Sequence, residues 1–347
     1  MDPRGATALV EDPRGALDAL RDRRSLALPH TDEARDRAES ASRSVADALR
    51  SAALEDGVST CVFGSWARGE LTPESDHDWA VLVAGGSASD GSAEFALASA
   101  HLGIEGYEPG SQGTFAVPIF VDNLVDNIGL DDDTNTNLTQ RMLLLLESRE
   151  LHGRVRDEAI ARLLGRYLEG AKPRSIPRFL LNDIVRYWRT ICVDFEGKAA
   201  KDSETDPKWA TRNAKLRTSR KLLFAGGLVS VFLCDQKTEE DDMRAFLTRW
   251  LDVPPLDRLA AAFLHAADLE PEILDAAVRT FTAYERWLSL ISQESTRSAL
   301  RDVTPADRDI SPLFQTIRDI GREFEAGLIA LLFSRAFEDK TRSAAIF

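Results

Sequence analysis

Asp76 and Asp78, two carboxylates one residue apart, stand between a Gly64-Ser65 pair and an apolar run that ends at Val83. Side chains alternate along an extended chain, so both acids face one side while His77 and Trp79 face the other. Adjacent carboxylates raise one another's pKa unless a cation lies between them, and a divalent metal is the usual resolution. Oxygen ligands suit Mg²⁺ or Mn²⁺, and Mg²⁺ characteristically takes one or two carboxylates together with substrate phosphates. Gly64 lets the backbone approach a ligand closely, Ser65 adds a hydroxyl, and the turn after them can aim N–H groups at an anion. The chemistry these residue types imply is that of a metal and a triphosphate.

Such a constellation needs rigid elements on either side. Val58 to Phe63 and Asp78 to Val83 are short, apolar and β-branched, which predicts two strands joined through the glycine turn. Thr31 is placed to cap a helix running to about Leu54, with Ala38, Ala41, Val45, Ala48 and Leu49 on one face. Beyond the second strand, Gly85-Gly86-Ser87 is a stop, Ala93 to Leu102 reads as a helix, and Gly103 to Gly113 as irregular chain. Thr114 to Val121 has strand composition, with Pro118 pointing to an edge or a bulge. Leu124 to Gly129 and Leu138 to Leu151 read as helices, the latter carrying Arg141 and Glu147. Asp131-Asp132-Asp133 reads as a solvated loop and helix cap rather than as a metal ligand. From Arg154 onward apolar residues recur at helical spacing, as in Leu180, Ile184, Trp188, Ile191 and Phe195, which predicts a bundle of six or so helices.

The string Gly64-Ser65-Trp66-Ala67-Arg68-Gly69-Glu70-Leu71-Thr72-Pro73-Glu74-Ser75-Asp76-His77-Asp78 resembles the signature of the nucleotidyltransferase superfamily that shares the polymerase-β palm. It is close to the versions seen in protein uridylyltransferase-like and related bacterial nucleotidyltransferases. The resemblance implies an α+β fold, a palm of a small mixed sheet with flanking helices followed by an all-α helical bundle. On that reading residues 1–32 are a loosely ordered extension, 33–153 the palm and 154–347 the bundle. The implied activity is metal-dependent transfer of an NMP from an NTP to a hydroxyl acceptor, with release of pyrophosphate. Asp76 and Asp78 would hold Mg²⁺ or Mn²⁺, Gly64 and Ser65 would cradle the β- and γ-phosphates, and Arg68 would steady the turn or a phosphate. Most active members of the superfamily place a third carboxylate on a following strand. Asp122 is the candidate for that ligand or general base and Glu105 the runner-up, although neither lies in an alternating apolar-acid-apolar pattern. A protein side chain or an RNA 3′ end is favoured as acceptor over a small molecule. The alternative is a regulatory nucleotide-binding module that has lost chemistry, as in a toxin–antitoxin or defence system.

The 347 residues suffice for two domains, and 44% hydrophobic residues is a globular composition. A net charge of -14 excludes a surface that binds nucleic acid throughout. Against that background residues 171–221 hold thirteen basic and six acidic residues, a local charge of +7. On a helix spanning Trp209 to Gly226, Arg212, Lys215 and Ser219 fall at i, i+3 and i+7 and share a face. Nucleotidyltransferases commonly supply a Lys and a Ser from their helical domain, so the resemblance gives this face a phosphate-binding role; a salt-bridged solvated face explains it equally. Three widely spaced cysteines, Cys61, Cys192 and Cys234, fit buried thiols in a reducing cytoplasm. The N-terminus lacks a secretory signal, and the longest apolar run, Leu222 to Cys234, is shorter than the ~20 residues a membrane span requires. A cytoplasmic protein with no membrane partner is expected.

Overall fold

Strand β1, Val58–Phe63, is buried along its whole length because its apolar and β-branched side chains have neighbours on both edges and both faces. The computed structural model describes residues 10–50, 56–87, 89–104, 117–202 and 206–346. In chain order these form α1 (Ala16–Arg24), α2 (Pro29–Arg50), β1, the single turn α3 (Gly64–Ala67), β2 (Trp79–Val83) and α4 (Ser92–Ile104). Then come β3 (Ile119–Phe120), α5 (Val121–Asp126), α6 (Asn135–Leu146), β4 (Ser148–His152) and α7 (Val155–Leu168). Nine further α-helices are described: α8 (Arg178–Asp202), α9 (Trp209–Arg217), α10 (Ser219–Leu233), α11 (Glu240–Leu251), α12 (Pro255–Ala266), α13 (Ile273–Ile291), α14 (Glu294–Arg301), α15 (Pro312–Leu332) and α16 (Glu338–Lys340).

By contacts the chain divides into two units: 32–173 with 237–254, and 1–31 with 174–236 and 255–347. This differs from the expected boundaries on both sides of the 153/154 junction. Helix α7 and the later α11 go with the sheet because Arg156 spans them, donating to Asp252 at 3.0 Å and to Ser148 Oγ at 2.8 Å. Val155 N–H also donates to the buried Ser59 hydroxyl at 2.7 Å. At the other end, Ala16, Leu17 and Leu20 of α1 are buried, and Leu17 N–H donates to Asp257 on α12.

The sheet of the first unit is mixed, in the order β3-β2-β1-β4. β1 pairs antiparallel with β2 and with β4, whereas β2 and β3 are parallel. β4 is a strand where a continuous helix is expected to run from Leu138 to Leu151. α6 ends at Leu146, and Ser-Arg-Glu-Leu-His forms the edge of the sheet by backbone pairing to β1. An edge strand needs no two-sided apolar pattern, and only Leu151 is buried in it. Under the sheet Ala38, Val45 and Leu49 of α2 pack with Val58, Val62, Trp66, Trp79 and Val81. Trp66 is fully buried, and its indole N–H donates to Ser42 Oγ at 2.9 Å.

The second unit is wholly helical among the described residues, with α13 packed along α15 and α10 against α8 and α12. The start of α2 is held within it. The α2 helix begins at Pro29 rather than at Thr31, so Thr31 does not cap it through its own side chain. Instead the buried Glu285 carboxylate of α13 accepts from His30 N–H at 2.5 Å, Thr31 N–H at 3.0 Å and the Thr31 hydroxyl at 2.7 Å. A carboxylate at a helix N-terminus satisfies otherwise orphaned donors and complements the helix dipole. Glu285→Ala is therefore expected to cost about 1–2 kcal/mol, the range for a lost cap, read as a lower urea midpoint.

The predicted helix over 209–226 is broken at Thr218, whose backbone (φ -123°, ψ -92°) ends α9 and starts α10. The Thr218 hydroxyl donates to the Ala214 carbonyl at 2.8 Å, so the side chain competes with the helical ladder where the chain turns. No described helix is long and apolar enough to cross a membrane.

Candidate active site

β1 ends at Phe63, and Gly64 immediately takes a left-handed φ of 63° that only glycine adopts at little cost. The reason lies across the turn. A Cβ at Gly64 would stand 2.8 Å from Asp78 Oδ2, so the absent side chain is what lets that carboxylate lie against the backbone. Asp78 is brought there by pairing, because its carbonyl accepts from Phe63 N–H at 2.8 Å and continues the β1–β2 ladder one residue past the strand. β2 itself begins at Trp79, so both acids precede the strand rather than opening it. Asp76 is delivered by the turn Thr72-Pro73-Glu74-Ser75, closed by Ser75 N–H to the Thr72 carbonyl at 3.1 Å and Thr72 N–H to Ser75 Oγ at 3.0 Å. Asp76 is exposed, while Asp78 and Ser65 are half-buried.

Arg68 is committed to the protein. Its guanidinium donates to Glu70 at 2.8 Å and to Glu147, and its side chain is only 10% exposed. The guanidinium thus links the turn to Glu70 and Glu147. Glu70 and Glu147 are the residues to which no role is given from sequence. Glu147 joins the site because α6 ends at Leu146 and the next residues pair with β1 up to Phe63↔Ser148, which places Glu147 beside the turn. Burial lowers the His77 pKa, with Asp76 partly opposing. Its ring packs edge-on against Trp66, with centroids 5.4 Å apart, so His77 is a packing residue.

Asp122 is not brought to this end of the sheet. β3 runs parallel to β2, pairing Leu82↔Ile119 and Val83↔Phe120, so the chain leaves β3 at the end of β2 opposite Asp78. α5 begins at Val121, and Asp122 lies on its first turn, against Gly85 and paired with Arg162 at 2.7 Å. At about 3.3 Å per strand residue, roughly 20 Å of chain direction separates Gly85 from Asp78. Asp122, the expected third ligand or base, thus stands at the other end of β2 from Asp78. Glu105 lies outside the described residues, and among those described no three His, Cys, Asp or Glu side chains converge on a metal position.

Arg212, Lys215 and Ser219 belong to the helical unit. Arg212 pairs with Asp206 at 2.5 Å, and Ser219 begins α10 with its hydroxyl directed to the Lys215 carbonyl at 3.4 Å. Cys61 and Cys234 are buried and Cys192 half-buried, all as free thiols; burial raises the pKa of Cys61 and Cys192.

A helix, a strand ending on a left-handed glycine, a tight turn and a second strand preceded by Asp-x-Asp are consistent with a nucleotidyltransferase palm. Residues 42–108 match the family model described as Nucleotidyltransferase domain, which places this segment in the nucleotidyltransferase superfamily. No curated protein matches the chain. The domain implies NMP transfer in general and a nucleoside triphosphate as donor.

Proposed function

We propose that the chain is a metal-dependent nucleotidyltransferase that moves an NMP from an NTP to a hydroxyl acceptor on a protein or an RNA 3′ end. The observation that carries the reading is the Asp78 carboxylate lying against left-handed Gly64 inside the matched segment. Two carboxylates as hard oxygen donors, beside a backbone surface with no Cβ, fit Mg²⁺ or Mn²⁺ completed by phosphate oxygens. Asp76 and Asp78 would hold the ion, which would supply charge neutralisation for the triphosphate. Gly64 and Ser65 would take the β- and γ-phosphates, and Arg68 would keep their turn in shape through Glu70 and Glu147. The acceptor oxygen bonds the α-phosphorus as the bond to the β-phosphate's bridging oxygen breaks, the hydroxyl proton is released, and pyrophosphate leaves. Most of the catalytic effect is then positioning and electrostatics.

The test is incubation of the chain with each α-labelled NTP, Mg²⁺ or Mn²⁺, and total RNA or lysate protein. Label should appear on one acceptor class and be absent with the Asp76→Ala/Asp78→Ala variant. A second reading, a regulatory nucleotide-binding module, is favoured by one observation: the third-carboxylate candidate Asp122 lies at the far end of β2 on Arg162. Binding of NTP without label transfer or pyrophosphate release would select it. Gly64→Ala supplies a further check on the primary reading. The added methyl meets Asp78 and forces a strained φ, so transfer should fall about a hundredfold, the effect of misplacing a reacting group by about 1 Å, with NTP turnover as the readout.

A further inference from the structure

Within the segment 171–221, with its local charge of +7, the half-buried Arg186, Lys198, Arg212 and Lys221 pair with carboxylates, whereas Arg217, also half-buried, does not. Arg217, the last residue of α9, lays its stem flat across α15 at Gly321, where a Cβ would stand 2.9 Å from Arg217 Cβ and 3.4 Å from its Cδ. The glycine is what permits this approach. The partner of the Arg217 head group is the neutral Asn213 amide oxygen, reached by Nε at 2.6 Å, and no carboxylate pairs with it among the described residues. On α15 the positions i, i+3, i+4 and i+7 are Arg318, Gly321, Arg322 and Glu325, so two further arginines flank the glycine under Arg217. Burial, followed by the charge of Arg318, lowers the Arg217 pKa; Arg322 adds to this and Glu325 opposes it.

The acids of the neighbourhood are committed elsewhere. Asp309 pairs with Arg318 at 2.7 Å, Asp319 with Arg322 at 2.9 Å, and Glu325 with Lys221 at 2.7 Å. Arg318 Nε is nevertheless buried without a hydrogen-bond partner among the described residues. The buried, unmatched Arg318 Nε carries a desolvation cost, and a half-buried guanidinium beside two more of the same sign is completed by an anion. The guanidinium fork matches the oxygens of phosphate.

We infer that Arg217, with Arg318 and Arg322 on the adjoining helix, forms an oxyanion site that takes the terminal phosphate of a small molecule. The uncompensated charge amounts to one guanidinium, which suits a single phosphate group better than the extended backbone of a polyanion, whose binding scales with the number of phosphates neutralised. The site belongs to the helical unit and does not depend on the transfer reaction of the palm.

The experiment is calorimetric titration of the full chain, without divalent metal, with inorganic phosphate, with a nucleoside 5′-monophosphate, and with an RNA oligonucleotide lacking terminal phosphates. Arg217→Met keeps the stem over Gly321 and removes the charge. It should weaken phosphate and nucleotide binding about tenfold or more, as expected for a lost charge-assisted pair, while its thermal midpoint stays at or above that of the wild type. Arg322→Ala, at a largely exposed position, should weaken binding severalfold and serves if Arg217→Met fails to fold. Asp78→Ala should leave this binding unchanged, which separates the site from the palm whatever the fate of the transferase reading. Absence of phosphate binding, equal affinity in Arg217→Met, or loss only in Asp78→Ala would overturn the proposal. RNA binding that depends on Arg217 and matches the monophosphate would overturn the terminal-phosphate assignment in favour of a backbone contact.

Discussion

Asp78→Ala is expected to lower nucleotidyl transfer by roughly a thousandfold or more, since stabilisation of transition-state charge by a held metal is worth several kcal/mol and each factor of ten corresponds to about 1.4 kcal/mol. The fold should survive, because the Asp78 side chain faces a turn and its contribution to the sheet is made by its backbone carbonyl, which alanine retains. Asp78→Asn sharpens the test. It keeps the shape against Gly64 and removes the charge, so activity should fall almost as far while NTP binding in the absence of metal changes little. Asp122→Ala makes the complementary comparison. Asp122 is half-exposed and paired with Arg162 at the other end of β2, and such pairs contribute about 0–1 kcal/mol. Turnover should therefore stay within about twofold of wild type, as for an unremarkable surface substitution. Pyrophosphate release under single-turnover conditions, with circular dichroism as the folding control, reads all three variants. Full activity in Asp78→Ala would remove the palm from the mechanism, and loss of activity in Asp122→Ala would restore that residue as a ligand.

The largest effect on stability is expected at Arg141. Its side chain is fully buried on α6, donating to both Asp133 oxygens at 3.0 Å, with Nε reaching the Tyr167 hydroxyl at 2.5 Å. Removing one member leaves the other charge buried, which costs about 3–5 kcal/mol. Against a typical total of about 5–15 kcal/mol this is a large fraction. Asp133→Ala and Arg141→Met should each lower the unfolding free energy by that amount, read from the shift in urea midpoint multiplied by the m-value. The double variant Asp133→Leu/Arg141→Met should cost less than either single one, because two apolar groups of similar volume leave nothing uncompensated. A double variant as unstable as the sum of the singles would show that the pair does not act as a unit. Tyr167→Phe should cost about 1–3 kcal/mol, since the ion pair remains but the buried Arg141 Nε–H loses its acceptor.

Several features of the candidate site are legible in the residues themselves. The Gly64-Ser65 pair, the Asp76-His77-Asp78 triplet and the two flanking apolar runs name a strand–turn–strand with paired acids, because glycine's conformational freedom and the carboxylates' charge are local properties. The α2 face is equally local: Ala38, Val45 and Leu49 recur at helical spacing and are buried in the structure. Asp131-Asp132-Asp133 shows where such reading stops. Thr134 caps α6 by accepting from Asn137 N–H at 3.1 Å, as its type suggests, but the loop is not simply solvated, because Asp133 is buried against Arg141 eight residues on.

What tertiary structure decided was which end of which strand each acid occupies. β3 lies parallel to β2 through backbone pairing that leaves no trace in composition, and that direction carries Asp122 away from Asp78. β4 escaped notice because an edge strand is held by backbone pairing, and Ser-Arg-Glu-Leu-His has no alternation to announce it. The break at Thr218 divided one predicted helix into two, and the helix start at Pro29 drew its cap from Glu285, which is remote in sequence. Arg217 lies within a basic segment visible in the sequence, yet only the packing of its stem on Gly321 distinguishes it from its neighbours. By itself the sequence determined the chemistry that is carried by adjacent residues: the glycine turn, the acid pair and the class of reaction they suit. The partners that neutralise, cap or isolate those residues were decided by the fold, because they come from distant positions brought together by strand direction and helix packing.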